Sequence, residues 1–309
     1  MKVLYSIVIP VFNGEKTIGC VCLGIDDVFN KIEGDYEIIL VDDGSQDNSW
    51  EVMKQLSQNN HRIKLLRLMR NFGEHNAVIS GLNYTRGEFV IVMDDDGQNP
   101  PEEIPKLITK TSEGYDVVFG NYKAKQHNIF RNIGSAFNNI VATLLLKKPR
   151  NLYLCSFKII CRPLVCEIIK YSGPYPYIDG LIFRCTRKIG TVDVQHRERS
   201  QGQSGYTLWK LASLSLNMFT NFSILPLRIS VYGGIIFAVL GFIMSIIFIV
   251  EKFISPSKSM GWASLIVAIL FFSGIQLFAI GMIGEYLGRL FLTMNKTPQF
   301  IVREKKGFN

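Results

Sequence analysis

Phe89-Val90-Ile91-Val92-Met93 runs directly into Asp94-Asp95-Asp96-Gly97-Gln98, and the rest of the chain falls into place around this junction. A short apolar run bounded by turn residues reads as a buried strand of a parallel sheet. Three carboxylates at its C-terminal end stand where α/β sheets place their ligands. Adjacent carboxylates repel one another, and a divalent cation relieves that repulsion. Carboxylate oxygens suit Mg2+ or Mn2+, which can then bridge phosphate oxygens. The plain alternative is a solvated acidic turn, or a local cap before Pro100.

Similar junctions recur on either side. Ser6 to Val11 reads as a buried strand, followed by the turn Phe12-Asn13-Gly14-Glu15 and a helix from Lys16. Tyr36 to Val41 is a second strand, ending in Asp42-Asp43-Gly44-Ser45-Gln46-Asp47. Ser45 or Asp47 can cap the helix that carries Trp50, Val52, Met53 and Leu56. Ile63 to Leu68 leads into Arg70-Asn71-Phe72-Gly73 and a helix over Glu74 to Asn83, and Asp116 to Phe119 is a fifth strand. Strands alternating with helices predict a doubly wound, mostly parallel sheet whose post-strand loops converge on one crevice. Neither GxGxxG nor GxxxxGK[ST] occurs, so phosphates have to be held by other means.

The chain has 309 residues, 48% of them hydrophobic, and a formal net charge of +8. The basic residues are spread out and form no nucleic-acid-binding tail, so a basic surface facing a membrane is the expectation. Six cysteines without CxxC spacing read as reduced thiols facing the cytosol. Met1 to Val11 lacks a long apolar region and a cleavage site, and reads as the first strand, not as a signal peptide.

Most of the apolar excess follows Leu225. Ile229 to Val250 and Gly261 to Gly284 contain no charged residue, and each exceeds the roughly 20 residues that cross a bilayer. Trp209 and Lys210 open a mostly apolar stretch that reads as an interfacial helix. Arg228 precedes the first span, and Arg289, Lys296, Arg303, Lys305 and Lys306 follow the second. The positive-inside rule then places both flanks in the cytoplasm and the linker Glu251 to Met260 outside. Gly233, Gly234, Gly241, Gly274, Gly281 and Gly284 are expected to allow close helix contact. Thr297 to Val302 is expected to form a last strand that pairs with a neighbouring subunit in a dimer or tetramer.

Four segments in order carry a resemblance: Pro10 to Glu15, Val41 to Asp47, Arg70 to Gly73, and Asp94-Asp95-Asp96-Gly97-Gln98-Asn99-Pro100-Pro101-Glu102. Together they resemble family-2 glycosyltransferases of the GT-A fold. Their spacing is most similar to the polyprenyl-phosphate type, which includes dolichol-phosphate mannose synthase and bacterial bactoprenol glucosyltransferases.

The resemblance implies a nucleotide pocket lined by Pro10, Phe12, Glu15 and Asp42 or Asp43, with Asp95 beside the ribose or sugar. Phe12 reads equally well as a core aromatic, and Pro10 as a strand terminator. Asp94 and Asp96 would be the catalytic DxD pair, and Asp94, Asp96 and Gln98 would hold Mg2+ or Mn2+. Arg131, after the basic run with Lys123 and Lys125, would bind the lipid acceptor's phosphate; a guanidinium near a helix start can do so bidentately. Where relatives carry Asp-x-Gly-x-Phe-Arg, this chain has Tyr153-Leu154-Cys155-Ser156-Phe157-Lys158. No catalytic role can be carried over for that missing Asp. Asp179 is a substitute carboxylate or a helix cap. His196 to Tyr206 resembles the family's basic Arg-x-x-Gly-x-Ser-x-Tyr loop, or is a solvated linker.

The expected domains are a cytosolic GT-A domain over 1–206, an interfacial helix over 207–226, a transmembrane hairpin over 227–285 and a cytosolic tail over 286–309. The expected reaction is inverting transfer from a UDP- or GDP-sugar to polyprenyl (undecaprenyl) phosphate on the inner face of a bacterial cytoplasmic membrane, for cell-surface glycan or lipopolysaccharide modification. The rival readings are a transferase acting directly on a glycan, and a silent nucleotide-sugar-binding scaffold.

Overall fold

Seven-residue runs without a helical stripe, fully buried along their length, build the centre of the sheet: β1 (Tyr5–Val11) and β2 (Tyr36–Asp42). Burial on both faces is the mark of strands covered by helices on each side. The structure is a computed structural model that describes residues 3–122, 152, 154–197, 225–254 and 261–308. The remaining strands are β3 (Ile63–Leu68), β4 (Phe89–Val92), β5 (Val117–Tyr122), β6 (Lys158–Cys161), β7 (Ile189–Val194) and β8 (Val302–Lys306). They form one sheet in the order β7-β5-β6-β4-β1-β2-β3-β8. The block β4-β1-β2-β3 is parallel, whereas β6 and β8 run antiparallel to their neighbours.

Helices α1 (Ile18–Phe29), α2 (Ser49–Asn59), α3 (Glu74–Leu82) and α4 (Ile104–Thr111) connect the parallel strands. Two more, α5 (Arg162–Ile168) and α6 (Ile178–Cys185), follow β6. One core cluster joins Ile7, Ile9, Ile38 and Leu40 of the central strands to Ile18, Cys22 and Ile25 of α1. Burying side chains of this size contributes about 1.5–3 kcal/mol each before entropy is counted.

The last strand differs from the expectation in both position and partner. It spans Val302–Lys306, not Thr297 to Val302, and pairs antiparallel with β3 of the same chain, from Leu65↔Lys306 to Leu68↔Val302. The edge of β3 is thus filled within the chain, and the expectation of a subunit-bridging strand loses its basis.

The chain divides into two compact units, one of Met1–Ala212 with Lys296–Asn309, the other Ser213–Asn295. In the second, α7 (Leu225–Ile254) and α8 (Trp262–Met294) have 30 and 33 residues. The windows Leu227–Met244 and Phe271–Met294 are long and apolar enough to cross a bilayer, and none of their residues is buried. The two helices meet through aromatic rings, Phe237 lying 5.5 Å from Phe271 and 6.4 Å from Phe272. The glycines do not serve as expected: a Cβ added at Gly233, Gly234, Gly241, Gly274, Gly281 or Gly284 would meet nothing within 4 Å. Among the described side chains, ring packing joins the pair. The expected interfacial helix over 207–226 falls almost wholly outside the described residues.

Candidate active site

The crevice opens where β1 and β4 part. Their ladder ends at Val8↔Val92, while β1 continues beside β2 to Val11↔Asp42. Pro10 is buried within β1, two residues beyond the last β4 pairing, so its missing N–H falls where one neighbouring strand has already ended. This is the topological switch point of the strand order β3-β2-β1-β4, where open α/β sheets bind ligands. A hydrogen bond crosses it: Phe12 N–H donates to Asp95 Oδ2 at 3.2 Å. Gly14 is required beneath that contact, since a Cβ there would lie 2.3 Å from Asp95 Oδ2.

The loops after β1 and β2 are laced together. Asn13 N–H donates to Ser45 Oγ (3.0 Å), Gln46 N–H to Asn13 Oδ1 (2.9 Å), and Glu15 N–H to Asp47 Oδ2 (3.2 Å). The Glu15 carboxylate accepts from Asn48 N–H at 3.3 Å. Asp47 also accepts from Ser49 N–H at 3.0 Å, satisfying a first-turn donor of α2. Phe12 is 47% exposed, which removes the core reading and leaves its ring free to stack on a flat ligand.

Asp42 and Asp43 are both buried. Asp42 accepts from Ser45 N–H at 2.9 Å, and its other oxygen lies 3.2 Å from Arg67 Nε as an ion pair without hydrogen-bond geometry. The two Asp43 oxygens accept from Phe72 N–H (2.7 Å) and Gly73 N–H (2.9 Å), which ties the β2 loop to the start of α3. Burial raises the Asp43 carboxyl to about 6, against those two amide bonds. Gly44, at φ +72°, completes the join: a Cβ there would stand 2.6 Å from the Arg70 and Asn71 backbone.

After β4, Asp94 Oδ2 accepts from Ser156 Oγ–H and, at 3.2 Å, from Asn99 Nδ2. Asn99 is held in turn by Tyr122 O–H at 2.6 Å. Asp96 is buried and accepts from Gln98 N–H at 3.0 Å. The Gln98 amide lies 3.3 Å from His196 Nε2, whose ring packs on Tyr122 with centroids 4.2 Å apart. Burial, with Glu74 and Asp96 nearby, raises Asp94 to about 7, and burial with Asp94 and Asp96 raises Asp95 to about 7. The pocket therefore disfavours three free negative charges.

Among the described residues no three His, Cys, Asp or Glu side chains converge into a ready-made metal cage. Mg2+ and Mn2+ do not demand one, since they commonly take one or two carboxylates and complete their shell with water and substrate phosphate. The donors present, two carboxylates and the Gln98 amide around a desolvated acidic turn, fit such an ion.

Several members of this site were not singled out from the sequence. Asn99 falls inside the acidic motif, and Ser156 and Lys158 inside the segment that departs from the family pattern, without a role being read for any of them. Tyr122 carries no motif, and its place beside the acidic turn with Ser156 and Lys158 depends on β6 pairing with β4 and β5 with β6. His196 reaches Gln98 because β7 pairs with β5. Lys158 and Asp179 form a buried ion pair, so Asp179 is both a first-turn residue of α6 and the partner of Lys158. His75 packs edge-on against Tyr177 at 5.1 Å; burial, aided by Lys158, holds its imidazole down at about 4 despite Asp179. Arg131, Lys123 and Lys125 lie outside the described residues.

A mostly parallel sheet with carboxylates and an exposed aromatic at its switch point is the arrangement of a GT-A nucleotide-sugar enzyme, and the comparisons agree. The family described as Glycosyl transferase family 2 matches residues 6–164, just over half of the chain, and the GtrB C-terminal hairpin matches residues 225–290. The chain belongs to glycosyltransferase family 2. An uncharacterized glycosyltransferase of Bacillus subtilis is 33% identical over 98% of this chain and 94% of its own length. The undecaprenyl-phosphate 4-deoxy-4-formamido-L-arabinose transferase of Proteus mirabilis is 33% identical with the same coverage. Glucosyl-3-phosphoglycerate synthase of Mycobacterium tuberculosis, solved with Mn2+, UDP-glucose and phosphoglyceric acid, shares the fold at a TM-score of 0.52 and 19% identity, over 71% of this chain and 78% of that one.

Proposed function

We propose that this glycosyltransferase moves a sugar from a nucleotide-sugar (UDP- or GDP-linked) to polyprenyl phosphate, specifically undecaprenyl phosphate, by direct displacement with inversion. The observation that carries the reading is similarity over 98% of the chain, sheet unit and hairpin alike, to transferases named for undecaprenyl phosphate. The fold supports it by bringing Pro10, Phe12, Glu15 and Asp95 to one crevice beside Asp94, Asp96 and Gln98. Phe12 takes the base face and Asp95 the ribose or sugar hydroxyls. Asp42 and Asp43 shape the pocket floor by fixing the loops.

Asp94, Asp96 and Gln98 would hold Mg2+ or Mn2+, which would supply positive charge to offset that of a departing diphosphate. Arg131, with Lys123 and Lys125, orients the acceptor phosphate. That phosphate is already an anion at neutral pH, so the nucleophile needs no strong base, and the missing Asp near position 153 is no obstacle. The hairpin over 227–285 anchors the enzyme in the bilayer that holds the acceptor lipid, with the domain over 1–206 and the tail over 286–309 in the cytosol. Because residues 296–309 rejoin the sheet unit, an even number of crossings is required, which agrees with the Lys and Arg distribution. The product would serve cell-surface glycan or lipopolysaccharide modification.

The test uses membranes containing the full chain, undecaprenyl phosphate and a panel of labelled nucleotide-sugars. Label should enter the organic-extractable lipid fraction, and Arg131→Ala should abolish that transfer while leaving nucleotide-sugar affinity unchanged. Label appearing only in polymeric glycan would favour the direct-acting enzyme, and no transfer from any donor would favour the silent scaffold.

A further inference from the structure

Asn99 is 1% exposed, and both ends of its amide are committed. Its Oδ1 accepts from Tyr122 O–H at 2.6 Å, and its Nδ2 donates to Asp94 Oδ2 at 3.2 Å. Ser156 Oγ–H donates to the same Asp94 oxygen. Asp94 Oδ1 takes no hydrogen bond from the described residues. An amide presents an acceptor at one end and donors at the other. The tyrosine hydroxyl therefore decides which way the Asn99 group faces. Through Asn99 it also decides which oxygen of Asp94 is tied down and which is left over.

The same tyrosine reaches Gln98 by a second route. β5 pairs with β7 as far as Tyr122↔Val194, so His196, two residues further on, comes against the Tyr122 ring, with centroids 4.2 Å apart. His196 Nε2 lies 3.3 Å from Gln98 Nε2. An amide nitrogen only donates, so the imidazole nitrogen accepts. Gln98 Oε1 is then the end of that amide left over, and it accepts from no described residue. Arg197 N–H donates to Gln98 C=O at 3.0 Å, so the backbone of the turn is held independently of the imidazole.

We propose that Tyr122 is a positioning residue for the acidic turn. Its hydroxyl acts through Asn99 and its ring through His196, and together they select Asp94 Oδ1 and Gln98 Oε1 as the oxygens left for a divalent cation. The proposal rests on the reading of Asp94, Asp96 and Gln98 as the metal-holding set. Oxygens fixed before an ion arrives bind it more tightly, because no side chain has to be ordered at that moment. Partners that orient ligands in this way are worth about 10–100-fold in metal affinity. A ring that only filled space beside β7 would have no need of a hydroxyl aimed at a buried amide, nor of that amide's other end on an acidic-turn carboxylate.

The experiment titrates Mn2+ alone into the detergent-purified full chain, counts unbound ion by its paramagnetic resonance signal, and measures the Tm of the metal-free protein alongside. Tyr122→Phe keeps the ring and removes the hydroxyl. His196→Phe keeps a ring against Tyr122 and removes the accepting nitrogen; His196 is exposed, so this variant carries the test even if Tyr122→Phe does not fold. Each should weaken Mn2+ binding about tenfold or more with Tm unchanged. In a Gln98→Ala background, His196→Phe should weaken it no further. Parental affinity in both variants would overturn the proposal, as would a lowered Tm with affinity unchanged. A further loss in the Gln98→Ala background would make His196 a ligand in its own right and end its role as the link to Tyr122. Asp96→Ala separates this proposal from the reading beneath it. If the parent binds no Mn2+, or Asp96→Ala binds it equally well, the metal-holding set has failed and the positioning role with it. Loss of binding in Asp96→Ala beside parental affinity in Tyr122→Phe and His196→Phe strikes the positioning role alone.

Discussion

Removing the Lys158 ammonium should leave Asp179 as an uncompensated charge inside the protein. Both side chains are buried, Lys158 at 4% and Asp179 at 6% exposure, and they pair directly across β6 and α6. The Lys158 stem and head also lie against Phe119, with Nζ 5.0 Å from the ring centroid. Breaking one side of a buried pair costs on the order of 3–5 kcal/mol, because the survivor keeps its desolvation penalty and loses its partner. For a unit of this size about 2–4 °C of Tm accompanies each kcal/mol. Lys158→Met should therefore lower the unfolding temperature of the detergent-purified chain by about 6–20 °C, read by fluorescence, with the buried Trp50 as a reporter in this unit. The double variant Lys158→Met/Asp179→Leu removes both charges and keeps the volume, so it should recover to within about 1–2 kcal/mol of the parent. A single variant that melts with the parent, or a double variant as unstable as the single, would refute the claim that this pair is a desolvated, mutually dependent unit.

His75 should make the fold acid-sensitive. Its folded pKa is about 4, below the ordinary value of 6.5, so the unfolded chain takes up the proton first. The stability that neutral His75 contributes is complete above about pH 6.5 and is lost as pH falls toward 4, by at most about 3 kcal/mol. The stability difference between parent and His75→Phe should change over that window, and a constant difference would contradict the assignment. Asp43 works in the opposite sense: its raised carboxyl makes the fold gain from protonation as pH falls through about 6. Gly44→Ala forces a Cβ into the Arg70–Asn71 backbone at positive φ; it should cost more than the roughly 1–2 kcal/mol of the left-handed conformation alone and raise the nucleotide-sugar KM. An unchanged Tm and KM would show that the two loops are not locked. Asp96→Ala should remove nearly all transfer, and chelation should do the same to the parent, with Mn2+ or Mg2+ restoring it; full turnover in chelator would sink the metal assignment.

Much of this protein is legible without its tertiary structure, and the reason is local. Buried parallel strands must be apolar throughout, so Ser6 to Val11, Tyr36 to Val41 and Ile63 to Leu68 announce themselves, and the observed strands agree to within a residue at either end. The loops that follow must carry turn residues and polar groups, so the acidic junctions after β2 and β4 can be located by eye. Two uncharged stretches of more than 20 residues stand out equally plainly, because a bilayer leaves little choice of composition.

What the tertiary structure decided are relations between distant segments. The sequence places Asp95 and Phe12 in separate loops; only the β4-β1 ladder makes them partners across 83 positions. Asp42 and Asp43 read alike in the chain, yet one faces Arg67 and the other closes on the amides of Phe72 and Gly73. Ser156 and His196 become neighbours of the acidic turn through the pairing of β6 with β4 and of β7 with β5. The last strand was foreseen a few residues early and with the wrong partner, because a short, half-exposed edge strand has no strong pattern of its own. Its register is set by the open edge of β3, a long-range pairing that no local periodicity encodes.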